Sequence, residues 1–476
     1  MILDMTRPAP LQEPERQHHF IRLLKEALEA EKLATGRQRT YSITTMGCQM
    51  NARDSEKLCG ILEAIGYKPA ESEKQADLVI YNTCCVRENA EQKVYGKLGY
   101  LKGFKKQNPD LKIALCGCMM QEDAVLEKLK KSYREVDLIF GTHNIYKFPE
   151  LLATMEENQG GMIIDIWKEH GEIVEDLPSI RKFGFKASVN IMFGCDNFCT
   201  YCIVPYVRGR ERSRKPEDIL KEICELARDG VKEIQLLGQN VNSYGKGLEE
   251  PITFALLLKE VCRVEGIERV RFMTSHPKDL SDELIRVMAE EPKLMPHFHL
   301  PLQSGSSRLL KAMNRHYDQE RYMDRVHKLK EAIPDISLTT DIIVGFPGET
   351  DEDFEETVKV VREAGFDSAF TFIYSPRIGT PAAVMEQVPE SESKPHFDRL
   401  LKVLEEVIDQ NNEKKIGQVH KVLVEDESKN GMLTGRTEQN QLVHFEAPKS
   451  MIGRIVDVVL DESKTYYFIG HLLERE

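Results

Sequence analysis

Short apolar segments alternate with helical segments along two long stretches of the chain, residues 39–157 and about 185–383, the second of which lies within an expected domain of residues 181–412. In the first stretch TYSITTM predicts a strand and RDSEKLCGILEAIG predicts a helix, with Gly66 at its C-terminal cap. Strands that alternate with helices form parallel sheets covered by helices. We therefore expect an α/β protein with an N-terminal parallel α/β sheet domain in the first stretch. Six β/α units in the second stretch favour a partial (β/α)6 TIM-like barrel.

The remaining segments differ in character from these two stretches. Residues 1–38 are polar, contain one amphipathic helical segment, and are expected to form a flexible or docking N-terminal extension. Residues 158–180 are expected to be a connection, and 384–412 a charged packing helix or linker. Residues 413–476 hold short β segments separated by turn residues, which predicts a small β-barrel of OB-like type.

Composition limits the function classes. The chain has 476 residues, 41% of them hydrophobic and 30% charged, and a net charge of −13. With no apolar run near eighteen residues and no signal-peptide pattern, we expect a cytoplasmic protein without a membrane partner. The negative net charge gives no overall attraction for a polyanion, so any nucleic-acid contact depends on local basic patches.

Three cysteines, Cys195, Cys199 and Cys202, stand within eight positions in FGCDNFCTYCIVPYVRGRERSR. They follow the first strand of the predicted barrel, at the mouth where such barrels keep their active sites. A structural zinc ion takes four ligands, and the nearest downstream histidine is the distant His276. A four-iron cluster needs one thiolate per iron, so three thiolates leave one iron open. The pattern favours a [4Fe–4S] cluster; zinc and buried structural thiols are the alternatives.

The CxxxCxxC spacing, with Tyr201 before the last cysteine, resembles the radical S-adenosylmethionine (SAM) enzymes. The resemblance implies that SAM binds the open iron and yields a 5′-deoxyadenosyl radical, with Tyr201 against the adenine. Polar residues end the other barrel strands, where a SAM pocket is expected, although turns also favour such residues. The cofactor-binding residues predicted there are Gln239, Asn240, Ser275, Gln303 and Gly345.

A second set of cysteines lies in the N-terminal domain, in TMGCQMN, YNTCCVREN and LCGCMMQ. Each motif follows a predicted parallel strand, and the carboxyl ends of such strands line one edge of the sheet. This predicts a second metal site formed by Cys48, by Cys84 or Cys85, and by Cys116 or Cys118. Cys118 is favoured because Cys116 falls within an apolar strand, and Cys84 is favoured because it is the first residue past the polar end of its strand. Scattered buried thiols are the alternative to a metal site. The other cysteines lie on apolar helix faces and are expected to pack there: Cys59, Cys224 and Cys262.

The order of these two cysteine sets, followed by a terminal β-barrel, resembles the methylthiotransferase family of radical SAM enzymes over residues 39–475. NTCCVRENAEQKVYGKLG and CTYCIVPYVRGRERSR are similar to the branch acting on dimethylallyl-modified tRNA. The resemblance implies two [4Fe–4S] clusters, two SAM molecules, a C-terminal TRAM domain and an electron donor of flavodoxin or ferredoxin type. It also implies transfer of a methylthio group to carbon 2 of the N(6)-dimethylallyladenosine 3′ of the anticodon.

Two segments are predicted to contact this RNA. The basic run after the barrel cysteines contains Arg208 and Arg210, which could bind phosphates beside the mouth. LTGRTEQNQLVHF resembles the RNA-binding part of TRAM domains, and its Arg436, Asn440 and Phe445 suit contacts to unstacked bases. The alternatives are an ion-pairing patch for the basic run and ordinary barrel residues for the second segment.

Two further functions remain open from the sequence. The sulfur acceptor could be a threonylcarbamoyl-modified adenosine or an aspartate of a ribosomal protein, within the same chemistry. A non-enzymatic, metal-containing RNA-binding protein is the other alternative. Iron and sulfide analysis separates these classes, because two four-iron clusters correspond to about eight irons per chain.

Overall fold

The computed structural model describes residues 3–86, 88–158, 160–169 and 171–473. The chain divides into two compact units, and each is described by itself. Unit 1 consists of Met1–Lys182, Phe193–Asp196 and Ile203–Glu211, and unit 2 consists of Phe183–Met192, Asn197–Cys202 and Arg212–Glu476.

Unit 1 contains a parallel six-stranded sheet with the strand order β2-β1-β3-β4-β5-β6. This confirms the parallel α/β sheet predicted from the alternation. Gly66 ends the second helix in the left-handed region, with φ 113°, as its position predicts. The elements are α1 (Glu15–Thr35), β1 (Thr40–Thr45), α2 (Gln49–Ile65), β2 (Lys68–Pro69), β3 (Leu78–Thr83), α3 (Glu88–Gln107), β4 (Lys112–Gly117), α4 (Asp123–Ser132), β5 (Leu138–Phe140), α5 (Phe148–Glu157) and β6 (Ile163–Asp165).

Two parts of unit 1 differ from the sequence expectation. Helix α1, expected in a separate extension, buries Phe20, Leu24 and Leu28 in the same core as α2 and α5. Burial of this apolar stripe outweighs the polar composition of the segment. Strand β6 lies in the expected connection and pairs in parallel with β5. The sheet therefore continues beyond residue 157.

The elements that follow β6 include the strands and helices of the barrel in unit 2 and a short helix, α6, in unit 1. They are β7 (Lys186–Asn190), β8 (Met192–Phe193), α6 (Val204–Arg208), β9 (Arg212–Ser213), α7 (Pro216–Arg228), β10 (Glu233–Leu237), α8 (Phe254–Arg263), β11 (Arg269–Phe272), α9 (Asp282–Glu290), β12 (His297–His299), α10 (Ser307–Ala312), α11 (Gln319–Ala332), β13 (Ser337–Val344), α12 (Asp351–Ala364), β14 (Ser368–Ile373) and α13 (Glu390–Glu413).

The barrel of unit 2 is built from two parallel three-stranded sheets, ordered β11-β10-β7 and β12-β13-β14. Its six strands are those predicted for the six β/α units. Helices α7, α8, α9, α11 and α12 bury apolar faces against this sheet in one large core. Helix α7 begins at Pro216 with Glu217 and Asp218 in its first turn, where carboxylates face the positive end of the helix dipole.

The C-terminal residues form a closed five-stranded barrel, ordered β15-β16-β17-β19-β18. This confirms the small β-barrel predicted for the tail. The segment LTGRTEQNQLVHF forms two antiparallel strands, and Asn440 in the turn between them has φ 66°. The strands are β15 (Val419–Glu427), β16 (Leu433–Arg436), β17 (Leu442–Glu446), β18 (Ile455–Ser463) and β19 (Phe468–Leu472). Within the described ranges, no helix combines the length and the apolar character that a membrane crossing requires.

Candidate active site: two cysteine trios

The N-terminal trio, defined as Cys48, Cys84 and Cys118, lies at the carboxyl ends of three neighbouring strands. Cys48 is the N-cap residue of α2 and is exposed, whereas Cys84 follows β3 and is buried. Cys118 is also buried and opens a 3-10 helix directly after β4. Because β1, β3 and β4 are adjacent parallel strands, their carboxyl ends share one edge of the sheet.

Glycines allow the loops of this trio to approach each other. Gly47 has φ 98°, and a Cβ there would lie 2.6 Å from the Cys84 sulfur. Gly117 has φ 95°, and a Cβ there would lie 2.7 Å from the Thr83 backbone nitrogen. Both positions exclude a side chain for steric as well as conformational reasons. The cradle around the thiols therefore depends on bare backbone.

The two alternative cysteines have different surroundings. Cys116 is fully buried in the apolar core on one face of the sheet, and burial raises its pKa well above the usual range. The Cys85 thiol donates a hydrogen bond to Cys118, which lowers the pKa of Cys118 to about 6. Cys118 is thus the more readily ionised thiol of its pair. Cys84, packed against Gly47, remains our proposed ligand from β3, with Cys85 beside the site.

Arg208 of α6 belongs to the same site. Its side chain is buried, its Nε lies 3.2 Å from the Cys118 sulfur, and its Nη2 forms an ion pair with Asp54 at 3.0 Å. This placement corrects the expectation that Arg208 contacts tRNA phosphates from the surface. The basic run is a property of the sequence, but the direction of each arginine depends on tertiary packing.

The barrel trio, defined as Cys195, Cys199 and Cys202, is divided between the two units. In unit 1, the Cys195 N–H donates to the Gly209 carbonyl at 3.1 Å. In unit 2, the Cys202 N–H donates to the Cys199 carbonyl at 2.9 Å. Cys199 is buried, and the other two are partly exposed. Across the described ranges, no three His, Cys, Asp or Glu side chains are grouped to hold a single metal ion.

Arg315 is a buried cation beside Cys199 that the sequence motifs did not indicate. Its Nη1 lies 3.4 Å from the Cys199 sulfur and 3.3 Å from the Tyr201 hydroxyl. Its Nη2 donates to the Pro301 carbonyl at 3.1 Å. The cysteine loop is held from the same segment, because Asn314 donates to the Phe198 carbonyl at 3.0 Å. A guanidinium therefore contacts a trio thiol in each unit.

Buried polar atoms gather where β7, β10 and β11 end. The side-chain amide of Asn190, Oδ1 of Asn240, the Ser275 hydroxyl and Nε2 of His276 are buried and lack a hydrogen-bond partner among the described residues. Buried polar groups normally find partners, so unpaired ones mark a place for a polar ligand. Gln239 is at the same strand end as Asn240. Asn190 was missed from the sequence because it is the last residue of a strand rather than part of a loop motif.

His276 has a defined tautomer at these strand ends. Its Nδ1 accepts a hydrogen bond from the Lys278 N–H at 3.3 Å. Burial, together with the nearby charge of Arg315, lowers its pKa far below the usual range. The neutral ring then carries its proton on Nε2, the atom without a partner among the described residues. His276 can therefore donate one hydrogen bond to a bound ligand.

The remaining predicted cofactor residues lie at the ends of β12 and β13. Gln303 has φ 66° and pairs through an isolated bridge with Ile342. Gly345 has φ 72°, and its N–H donates to Glu349. Burial raises the pKa of Glu349 to about 7, although the hydrogen bond from Gly345 opposes this. These residues surround strand ends of the second barrel sheet, as predicted.

The other predicted RNA contacts are in different environments. Arg210 is exposed, with 65% of its side chain accessible, and pairs with Asp196 at 2.9 Å. Arg436 is half-buried and donates to the Asn440 carbonyl at 2.9 Å. Phe445 is fully buried in the core of the C-terminal barrel. Phe445 is therefore a packing residue in this structure rather than a surface for stacking bases, which corrects the expectation from the motif.

Family models match three parts of the chain. The Radical SAM superfamily matches residues 189–361, the Uncharacterized protein family UPF0004 matches 40–141, and the TRAM domain matches 413–473. The first match covers most of the barrel and its cysteine trio, and the second covers the N-terminal trio. With the parallel barrel, these matches define the chain as a radical SAM enzyme.

Curated relatives narrow this class. Proteins named tRNA-2-methylthio-N(6)-dimethylallyladenosine synthase align over most of both chains. The one from Lachnoclostridium phytofermentans is 57% identical over 451 residues, covering 94% of this chain and 98% of the relative. The one from Clostridioides difficile is 52% identical over 470 residues, covering 98% of each. The chain belongs to the tRNA-2-methylthio-N(6)-dimethylallyladenosine synthase family, which implies [4Fe–4S] clusters and SAM as cofactors.

Solved structures share the fold at low sequence identity. The radical S-adenosylmethionine methyltransferase TsrM from Kitasatospora setae has a TM-score of 0.52 and 15% identity, covering 73% of this chain and 77% of that chain. The cobalamin-dependent S-adenosylmethionine radical enzyme OxsB has a TM-score of 0.50 and 14% identity, covering 80% and 57%. These likenesses concern the fold alone.

Proposed function

We propose that this chain methylthiolates carbon 2 of the N(6)-dimethylallyladenosine that lies 3′ of the anticodon in tRNA, using two [4Fe–4S] clusters and two SAM molecules. The observation that carries the proposal is the presence of two cysteine trios, each following strand ends, in a chain more than half identical to the named synthases. One trio alone would suffice for radical formation. The second trio supplies the site that sulfur transfer requires.

The described residues fit these cofactors. When bound, the clusters and SAM supply one-electron cleavage of a sulfonium and a sulfur atom that accepts a methyl group. The thiolates of each trio would hold the iron of a cluster, and three thiolates for four irons would leave one position for a small ligand. We assign the unpaired amide of Asn190, the Ser275 hydroxyl and Nε2–H of His276 to the polar groups of SAM, because these buried atoms have no partner among the described residues. Their burial excludes water, which protects a radical from side reactions.

The tRNA is held by local charge in this proposal. Arg210 is exposed beside the barrel trio in sequence, and Arg436 and Asn440 lie on the TRAM barrel. The target adenine must leave the loop stack to be reached, as bases do in other base-modifying enzymes. Because the substrate is tRNA, we place the reaction in the cytoplasm, with a flavodoxin or ferredoxin as the electron donor.

Nucleoside analysis of tRNA from a deletion strain tests this function. Mass spectrometry should show loss of the 2-methylthio nucleoside and accumulation of its dimethylallyl precursor, with recovery when the wild-type gene is restored. Cys118→Ala and Cys199→Ala should not restore the product, since each removes one cluster ligand. Cys262→Ala is the matched control, because Cys262 is a buried packing residue whose pKa is raised to about 12 by burial.

The same analysis separates the alternatives. A deletion that changes the threonylcarbamoyl nucleoside, or a ribosomal-protein aspartate, would contradict the proposed substrate while keeping the chemistry. An unchanged tRNA and ribosome profile would contradict the enzymatic function. Full recovery by Cys118→Ala would show that the N-terminal trio is not needed.

A further inference from the structure

Arg208 is the last residue of α6 and is only 6% exposed, although it belongs to a run of basic residues. Its guanidinium has three partners in unit 1: the Cys118 sulfur at 3.2 Å, Asn51 Oδ1 at 2.6 Å and Asp54 Oδ2 at 3.0 Å. Bringing a charge into the interior is costly unless it is paired and hydrogen-bonded. These three partners compensate the burial of the charge and hold the guanidinium against the Cys118 sulfur.

An ion pair compensates the charge of Arg208. Its Nη2 lies 3.0 Å from the Asp54 carboxylate, and both side chains are only 6% exposed. Asp54 is itself buried on α2. The cation therefore contacts one thiol of the N-terminal trio and one counter-ion.

Asn51 fixes the position of this arginine relative to the trio. Its Nδ2 donates to the Met46 carbonyl at 2.8 Å and to the Thr83 carbonyl at 2.9 Å. These carbonyls belong to the segments leading to Cys48 and Cys84. Its Oδ1 accepts from Arg208, so a single amide connects two thiol-bearing loops to the guanidinium that contacts Cys118. This arrangement keeps the Arg208 guanidinium directed at the Cys118 sulfur.

We propose that Arg208 is a positioning residue that donates a hydrogen bond to the Cys118 ligand of the N-terminal cluster and raises the reduction potential of that cluster. Hydrogen bonds to ligand sulfurs and added positive charge stabilise the more negative, reduced cluster. The inference rests on the proposed N-terminal cluster. It assigns Arg208 to that cluster instead of to tRNA.

A redox titration of the N-terminal cluster alone tests the inference. The full chain with Cys195, Cys199 and Cys202 replaced by alanine is reconstituted anaerobically with iron and sulfide and titrated with dithionite, with the reduced cluster followed by electron paramagnetic resonance. Arg208→Gln combined with Asp54→Asn removes the guanidinium that donates to Cys118 and leaves the net charge unchanged. We expect the ratio of reduced to oxidised cluster at the original midpoint to fall about tenfold, which is about 59 mV for one electron.

Two further variants keep the test decisive. Arg208→Lys retains the charge but loses the planar donor geometry, so a smaller fall in the same direction is expected. Arg39→Gln combined with Glu31→Gln removes another buried ion pair of unit 1, at 2.9 Å, and should leave the midpoint unchanged.

The possible outcomes distinguish this inference from the proposed function. Unchanged midpoints in both Arg208 variants, with four irons retained, would overturn the inference and leave Arg208 a structural residue. If the Gln/Asn variant loses its iron, the midpoint of Arg208→Lys is the test, and an unchanged midpoint there would overturn the inference. A parent protein that binds no four-iron cluster would overturn both the inference and the proposed function.

Discussion

At the scale of single residues, Gly47 controls the geometry of the N-terminal trio. Gly47→Ala places a methyl group 2.6 Å from the Cys84 sulfur and forces a side chain into φ 98°. We expect the N-terminal cluster to be lost and the barrel cluster to remain, so that iron falls from about eight to about four per chain. Iron and sulfide analysis of the reconstituted protein measures this change.

A second glycine gives the matched control for that substitution. Gly99 lies inside α3, and a Cβ there would meet no atom within 4 Å. Gly99→Ala should keep the full iron content and stabilise the helix by about 0.5–1 kcal/mol, because alanine loses less backbone entropy than glycine. Equal iron contents in the two variants would contradict the role assigned to Gly47.

Which residues of the site were predictable from the sequence depends on the signal each one carries. The six trio cysteines could be proposed from the sequence because each follows a strand or belongs to a known spacing. The burial of Arg208 could not be predicted, since α6 turns it inward only through tertiary packing. The burial of Phe445 could have been predicted, because β17 alternates between core and surface, and Val443 and Phe445 share its core face.

At the scale of elements, charged residues on two barrel strands bind the TRAM barrel. Arg271 on β11 donates to the carbonyls of Thr437 at 2.7 Å and Glu438 at 2.8 Å, and pairs with the buried Glu233 on β10 at 3.1 Å. Burial alone would raise the pKa of Glu233, but Arg271 and its neighbours lower it below the ordinary value. The carboxylate therefore stays ionised and holds the arginine in place.

Removal of Arg271 should loosen this attachment. Arg271→Met leaves Glu233 with less compensation, and breaking a buried pair of this kind costs about 3–5 kcal/mol. We expect a lower melting temperature and faster proteolysis at the start of the TRAM barrel. Arg263→Met is the control, because Arg263 forms an exposed pair with Glu260 that contributes about 0–1 kcal/mol. Equal stability of both variants would contradict the prediction.

Strand β12 adds a pH dependence to the stability of the barrel. Burial, together with Arg271, lowers the pKa of His297 well below 6.5, so His297 is neutral in the folded chain. Below pH 6.5 the unfolded chain binds a proton that the folded chain does not, so stability falls as the pH falls. Each such group contributes up to about 1.4 kcal/mol per pH unit.

His297→Gln should remove this contribution. Denaturant unfolding at pH 7.5, 6.5 and 5.5 measures the free energy of unfolding of both proteins, and the wild-type protein should lose more stability on acidification than the variant. Parallel losses in the two proteins would show that His297 does not titrate during unfolding.

At the scale of the whole molecule, the alternation of strands and helices was enough to predict the sheet of unit 1 and the six-stranded barrel, and short β segments separated by turn residues were enough to predict the C-terminal barrel. The membership of α1 in unit 1 was not predictable in the same way. A single amphipathic helix indicates that one face will be covered but does not identify what covers it. The three-residue strand β6 is too short to give a periodic signal.

The net charge of −13 makes tRNA binding depend on few cations. Arg210→Gln should weaken tRNA binding and reduce the slope of log affinity against log salt by about 0.7–0.9, the value for one phosphate contact. Fluorescence anisotropy between about 50 and 200 mM salt measures the slope. Arg228→Gln, an exposed position at the end of α7, removes the same charge elsewhere and should keep the slope. An unaltered slope in Arg210→Gln would exclude a phosphate contact.

The central claim is that the three thiolates of the barrel trio hold a four-iron cluster and leave one iron without a protein ligand. Mössbauer spectroscopy of ⁵⁷Fe-reconstituted protein tests this most directly, in the full chain with the N-terminal trio replaced by alanine. On addition of SAM, about a quarter of the iron should change its isomer shift while the rest stays unchanged. If the isomer shifts of all four irons stay unchanged on addition of SAM, the claim is contradicted.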